Sequence, residues 1–115
     1  MGVLVLIRFR VPDEDSAAFR DRAHEALDLL AARPGYVRAR LARAYDEPEL
    51  WCLVSEWESV GAYRRALSAE LRMRLMPLFA GALDEPSAFE VLAEAEPGGS
   101  VNVTATDVGS LRSRP

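Results

Sequence analysis

Ser55-Glu-Trp-Glu-Ser-Val-Gly-Ala-Tyr63 joins the end of an alternating apolar stretch to the first turn of a helix. Just upstream, in Leu50-Trp-Cys-Leu-Val-Ser-Glu-Trp57, the residues Trp51, Leu53, Ser55 and Trp57 share one parity. That is the period-2 mark of a strand with one face in a core. Downstream, Ser59 is placed to cap a helix on which Ala62, Tyr63, Ala66 and Leu67 recur at helical spacing. The boundary at Ser59 thus sets Trp57 on a strand and Tyr63 on a helix beside it, a junction where a small pocket fits.

Working outward, Val3-Leu-Val-Leu-Ile-Arg-Phe9 is a strand apolar on both faces until its arginines, and it is closed by Pro12-Asp13. Asp13, Glu14, Asp15 and Ser16 place acids and a capping hydroxyl at a helix start, where unpaired amides and the dipole favour them. Phe19, Ala23, Ala26, Leu27 and Leu30 form the helix's apolar stripe, and Arg33-Pro34-Gly35 stops it. A second strand, Tyr36 to Tyr45, alternates with Tyr36, Arg38 and Arg40 on one face and Val37, Ala39 and Leu41 on the other. Asp46-Glu-Pro-Glu49 turns it back onto Leu50–Trp57, a central strand. Ser68 caps a further helical segment carrying Leu71, Leu75, Leu78 and Phe79, which Pro77 should bend or end. Ala88-Phe-Glu-Val-Leu92 reads as a last core strand.

The order β-α-β-β-α-β is the split βαβ arrangement: an α+β, ferredoxin-like subunit with a four-stranded antiparallel sheet and its helices on one face. Strands apolar on both sides require a cover for the second face. The sheet of a second copy is the natural one, which predicts a homodimer with two sheets packed face to face or closed into a dimeric α/β barrel.

Composition bounds the remaining choices. The chain has 115 residues, half of them apolar, which suits one compact domain spanning residues 1–96. Pro97-Gly-Gly-Ser100 then opens a C-terminal stretch, 97–115, read as a flexible tail or a swapped arm that pairs with an edge strand. A net charge of −4 and the lack of a basic stripe interleaved with aromatics argue against nucleic-acid binding. All fourteen basic residues are Arg, so lysine chemistry is excluded. One cysteine, Cys52, gives no intrachain disulfide and no thiolate cluster, which fits a cytoplasmic protein. The first strand is too short and too Arg-rich at its end for a signal peptide or membrane span.

The opening strand ending Arg8-Phe-Arg10, Pro34-Gly35-Tyr36, Glu56-Trp-Glu-Ser-Val-Gly-Ala-Tyr63 and Glu85-Pro-Ser-Ala-Phe89 together resemble the antibiotic biosynthesis monooxygenase domain over residues 3 to about 93. The resemblance implies a dimeric α+β barrel. Activities in that family differ: oxidation of phenolic polyketide anthrones by dioxygen without a cofactor, haem cleavage, and action on quinols or signalling molecules. Trp57 and Tyr63 match the tryptophan and tyrosine of the polyketide monooxygenases, whereas the asparagine four residues before the Trp is Leu53 here. Where haem-degrading members carry a first-strand Asn, a helix Trp and a haem-ligating His, this chain has Ile7, Ala66 and Met76, which disfavours haem degradation.

A cofactor-free oxygenase must favour the anion of its substrate, because an electron-rich phenolate or enolate can reduce dioxygen directly. The expected reaction is therefore cofactor-independent monooxygenation of a small aromatic, polyketide-like or quinol-like molecule, with no cofactor and no metal. Tyr63 is the expected hydrogen-bond donor and Trp57 the wall of the site, both counted as catalytic. Tyr36, Arg38, Leu53 and Met76 complete the expected substrate-binding set. The alternatives are a small-molecule-binding barrel without catalysis, motivated by Leu53 and by the absence of a clear base, and a cyclase or isomerase using the same pocket. His24, the one histidine, points away from the apolar stripe of its helix and by itself makes no metal site.

Overall fold

The computed structural model describes residues 2–106. Four strands form one antiparallel sheet: β1 (Val3–Arg10), β2 (Tyr36–Arg43), β3 (Leu50–Trp57) and β4 (Ala88–Glu90). Their order across the sheet is β2-β3-β1-β4. The helices are α1 (Ser16–Ala31), α2 (Val60–Ala66) and α3 (Ala69–Phe79). This is the ferredoxin-like α+β subunit, with the second helix of the motif divided into two segments. None of the helices in the described residues is long and apolar enough to cross a membrane.

Parity along the central strands assigns the two faces. Val3, Val5 and Phe9 of β1 are buried with Trp51, Leu53, Ser55 and Trp57 of β3, and they meet Phe19, Ala23, Ala26 and Leu30 of α1 and Leu71, Leu75 and Leu78 of α3. In the antiparallel register Val3 faces Trp57, Val5 faces Ser55 and Phe9 faces Trp51. Phe9, Phe19 and Trp51 stack edge to face at 5.0 and 5.3 Å between ring centroids, and the Arg43 guanidinium covers Trp51 at 4.8 Å. The opposite sheet face carries Leu4, Leu6, Arg8, Cys52, Val54 and Phe89, and among the described residues no layer covers it.

Four local features differ from the sequence reading. The acids at 13–15 form a 3-10 turn that runs into α1, so Ser16 is the first helical residue and no side chain caps it. A register shift between Tyr36 and Arg38 leaves Val37 as the extra residue, and Tyr36 thereby faces Trp57 on the helix side while Arg38 faces Glu56 on the open side. Tyr36 and Arg38 are therefore on opposite faces, contrary to simple alternation. Pro77 lies inside α3, two residues before its end, where omitting one amide bond does not stop the helix.

The last strand is also shorter than expected. Only Ala88–Glu90 pairs with β1, and Phe89 is 44% exposed, so β4 is an edge strand rather than a core one. Residues Ala93–Ala95 (β5) and Val101–Val103 (β6) pair with each other as a separate exposed hairpin. The boundary expected after Glu96 falls within that hairpin's connection; the stretch 107–115 lies outside the described residues.

Candidate functional site

The junction at Ser59 is built by three backbone devices. Ser59 is extended, and its Oγ accepts from the Ala62 amide at 3.0 Å, which caps α2. The Glu58 amide donates to the Gly35 carbonyl at 2.9 Å, tying the end of β3 to the turn before β2. Gly35 has φ +87°, and a Cβ there would stand 2.4 Å from the Ala62 Cβ. Pro34-Gly35-Tyr36 therefore brings the chain against the first turn of α2, and only glycine suits both the conformation and the gap.

These contacts collect three aromatic rings. Trp57 is 1% exposed, with the Tyr63 ring centroid at 5.7 Å and that of Tyr36 at 5.6 Å. Its Nε1 donates to Ser55 Oγ at 3.0 Å, two residues back on the same face of β3. Trp57 thus satisfies its polar atom inside the core and supports Tyr63 from behind.

Tyr63 in turn lines a cavity of about 300 Å³ at the edge of β1. The cavity exists because β4 stops short. Past Val5 the sheet edge is held by Leu6 N to Ser87 O at 2.7 Å and Leu83 N to Arg8 O at 2.8 Å, and the chain between 83 and 87 bows away. Leu67 at the end of α2, Arg72 and Phe79 of α3, and Ile7 of β1 complete the wall. Arg8 forks the Glu85 carboxylate across its mouth, Nε to Oε2 at 2.6 Å and the second nitrogen to Oε1 at 2.9 Å. The pair holds the Glu85 carboxyl below its ordinary range and raises the Arg8 guanidinium, by hydrogen bonding first. Burial pushes the Tyr63 phenol above its usual value, and the charge of Arg72 pulls it part of the way back. Tyr63 is accordingly a neutral donor at physiological pH.

Of the residues expected from sequence to meet at the site, Tyr63 is in the cavity wall and Trp57 is packed behind it. Tyr36, Arg38, Leu53 and Met76 are not in this wall. Tyr36 packs edge-on against Trp57; Arg38 lies on the open sheet face, 3.3 Å from Glu56; Leu53 is 2% exposed in the core; and Met76 is 58% exposed on the outer face of α3. Arg8, Arg72, Phe79 and Glu85 are the lining groups that sequence reasoning missed as a set. The first and last of these are 77 residues apart, and no local pattern marks a loop that returns to a strand edge. A second cavity, of about 350 Å³ between Val60, Arg64 and β4, contains none of the expected aromatic residues. Among the described residues no cluster of three His, Cys, Asp or Glu is arranged to hold a metal ion.

The fold finds its counterparts among known proteins. The structure is similar to a mutant form of SnoaB, a cofactor-independent oxygenase from Streptomyces nogalater, with a TM-score of 0.69 and 26% identity over 78% of this chain and 92% of that one. It also shares its fold with Rv0793 from Mycobacterium tuberculosis, at a TM-score of 0.68 and 18% identity, over 84% of this chain and all of that one (100%). In sequence it is 34% identical over 61 residues to a 42.8 kDa protein in the whiE locus of Streptomyces coelicolor. That match takes in 53% of this chain, and the chain spans only 15% of the length of that relative. Residues 2–73 match the family model for antibiotic biosynthesis monooxygenase, and the chain belongs to that family.

Proposed function

We propose that the protein is a cofactor-independent monooxygenase that binds a small aromatic, polyketide-like or quinol-like substrate in the cavity at the β1 edge and oxidises it with dioxygen. Family membership and the likeness to SnoaB support a monooxygenase-type role. The observation that carries the finer reading is Tyr63: a half-buried, neutral phenol in the wall of the edge cavity, packed against Trp57.

In this reading the substrate supplies all the electrons. Its phenolate or enolate gives one electron to dioxygen, the two radicals combine at carbon, and loss of water leaves one oxygen atom on the ring as a carbonyl. Tyr63 donates a hydrogen bond to the substrate oxygen and fixes its orientation, while Leu67, Phe79 and Ile7 exclude water. The uncovered apolar sheet face is the surface on which two copies pair in the same proposal. The test is oxygen consumption by the purified, metal-free protein with anthrones, naphthols and hydroquinones, beside Tyr63→Phe and Trp57→Phe. Uptake above the spontaneous rate that falls in both variants is expected. Uptake unchanged in both would remove these residues from the site.

One observation favours a second reading. Leu53 is buried where the polyketide monooxygenases carry an asparagine, so no amide is available there to hold an oxyanion. A domain that binds the same molecules without transforming them would show ligand-induced Trp quenching and no oxygen uptake.

A further inference from the structure

The second cavity, of about 350 Å³, lies beside β4 and shares no lining residue with the edge cavity. Small-molecule sites span roughly 300–1,000 Å³, so its size suits a small ligand. α2 supplies one wall through Val60 and Arg64, one helical turn apart, while Tyr63 of the same helix lines the edge cavity. The chain after β6 supplies another. The Thr104 amide donates to the Leu92 carbonyl at 2.8 Å, the Val91 amide donates to the Gly2 carbonyl at 3.1 Å, and the Thr106 hydroxyl is hydrogen-bonded to the Glu90 carboxylate. These ties hold the C-terminal stretch and the start of β1 against β4, so the space between them and α2 is built by the chain itself.

Val3, Val60, Val91 and Ala105 make the lining largely aliphatic, with Phe89 its one ring. Val60 and Phe89 are exposed, so the cavity gathers apolar surface that folding has left uncovered. Two charged side chains border it, Arg64 and Glu90. Glu90 is engaged by Thr106. Arg64, in the last turn of α2, has no carboxylate within ion-pair distance among the described residues. The next arginine, Arg65, lies outside this lining and folds back along its own helix, where a Cβ on Gly61 would meet its guanidinium at 3.1 Å.

We propose that this cavity is a second ligand site, separate from the edge cavity, that takes a small aliphatic carboxylate with its tail among the valines and its head on Arg64. A guanidinium grips a carboxylate through paired N–H donors, and an aliphatic tail gains by leaving water for an apolar wall. The two halves of the ligand are both required. Arg64 is exposed, so a carboxylate held by it alone would gain no more than a surface ion pair does. The aliphatic wall alone would not distinguish a carboxylate from an alcohol of the same length. The site stands whatever reaction the edge cavity carries.

The probe is octanoate, compared with octanol at neutral pH by titration calorimetry on the whole chain and on its Arg64→Gln, Arg65→Gln, Val60→Trp and Arg72→Gln variants. We expect octanoate to bind about tenfold more tightly than octanol, the difference a charge-assisted hydrogen bond makes. Arg64→Gln should bring the two ligands close to parity. Arg65→Gln removes the same charge from the next position of α2 and should keep the preference. Val60→Trp fills the cavity from a partly exposed position and should weaken both ligands, with far-UV dichroism unchanged. Arg72→Gln, in the wall of the edge cavity, should leave both affinities as they are. No binding of octanoate, equal binding of the two ligands by the unaltered protein, or a preference that survives Arg64→Gln would each overturn the proposal. So would affinities unmoved by Val60→Trp, or octanoate lost in Arg72→Gln, which would put the carboxylate in the edge cavity instead.

Discussion

Gly35 and Ala62 stand so close that a methyl group on Gly35 would come within 2.4 Å of the Ala62 Cβ. The two residues belong to different halves of the fold, one to the turn before β2 and the other to the first turn of α2. Their contact decides how near the helix can approach the sheet. Since Tyr63 is the next residue after Ala62, the same contact decides how Tyr63 meets Trp57.

Gly35→Ala should therefore destabilise the protein by roughly 2–4 kcal/mol, combining the cost of a side chain at positive φ with overpacking against α2. It should also shift Tyr63 and weaken any ligand in the edge cavity, although neither residue 35 nor residue 62 touches that cavity. Urea unfolding measures the first effect. A midpoint within error of the unaltered protein would mean that α2 is free to move away, and that the junction is softer than its geometry indicates.

Ser55 is the one buried polar residue of the described core, and its Oγ receives the Trp57 Nε1 proton at 3.0 Å. Ser55→Ala leaves that indole donor without a partner in an apolar surrounding, at a cost of about 1–3 kcal/mol. Trp57→Phe, by contrast, removes the donor together with part of the ring that supports Tyr63, and loses its stability through packing. Comparing denaturation midpoints of Ser55→Ala with those of the double variant separates the two effects. If the hydrogen bond matters, Ser55→Ala costs little once Trp57 is already Phe.

The elements legible in the sequence are those with a local rule behind them. The burial of β3 at Trp51, Leu53, Ser55 and Trp57 follows from alternation, and the starts of α2 and α3 follow from Ser59 and Ser68, both of which accept the expected amide. The position of Tyr36 was hidden because one extra residue, Val37, inverts the parity of everything before it. The cavity was hidden for a different reason. It is the space left where a three-residue strand ends, and its lining groups meet only through the return of the chain at 82–87 to β1. The meeting of Trp57 and Tyr63 at the junction was therefore readable, while the charged groups that line the cavity were not.

The proposed homodimer has a direct test on the open face of the sheet. Val54 faces Leu6 in the β1–β3 register, in the middle of the uncovered apolar surface, while its neighbours Leu53 and Ser55 point into the core. An acid at this position should be acceptable to the isolated subunit and unacceptable between two packed sheets. Sedimentation should give twice the chain mass of 12.7 kDa for the unaltered protein and the single mass for Val54→Asp, with far-UV dichroism retained. A single mass for both would leave that face to some other partner.

Arg8 and Glu85 give the protein an acid-dependent clasp on the cavity mouth. The Glu85 carboxyl is held below its ordinary value of 4.5, so its contribution to stability is fully present above that value and is lost as pH falls through the lower folded-state value. The raised Arg8 guanidinium works in the opposite sense: its contribution is present at all ordinary pH and would fade only in strong alkali. Both side chains are partly exposed, at 42% and 29%, so solvent screening keeps the effect modest. The expected signature is a stability difference between the unaltered protein and Glu85→Gln that is constant near neutrality and narrows on acidification below about pH 4.5. Salt should shrink the same difference. A gap that stayed constant through the acid range would show that the charge on Glu85 does not hold the 82–87 connection to β1, and that its two backbone hydrogen bonds suffice.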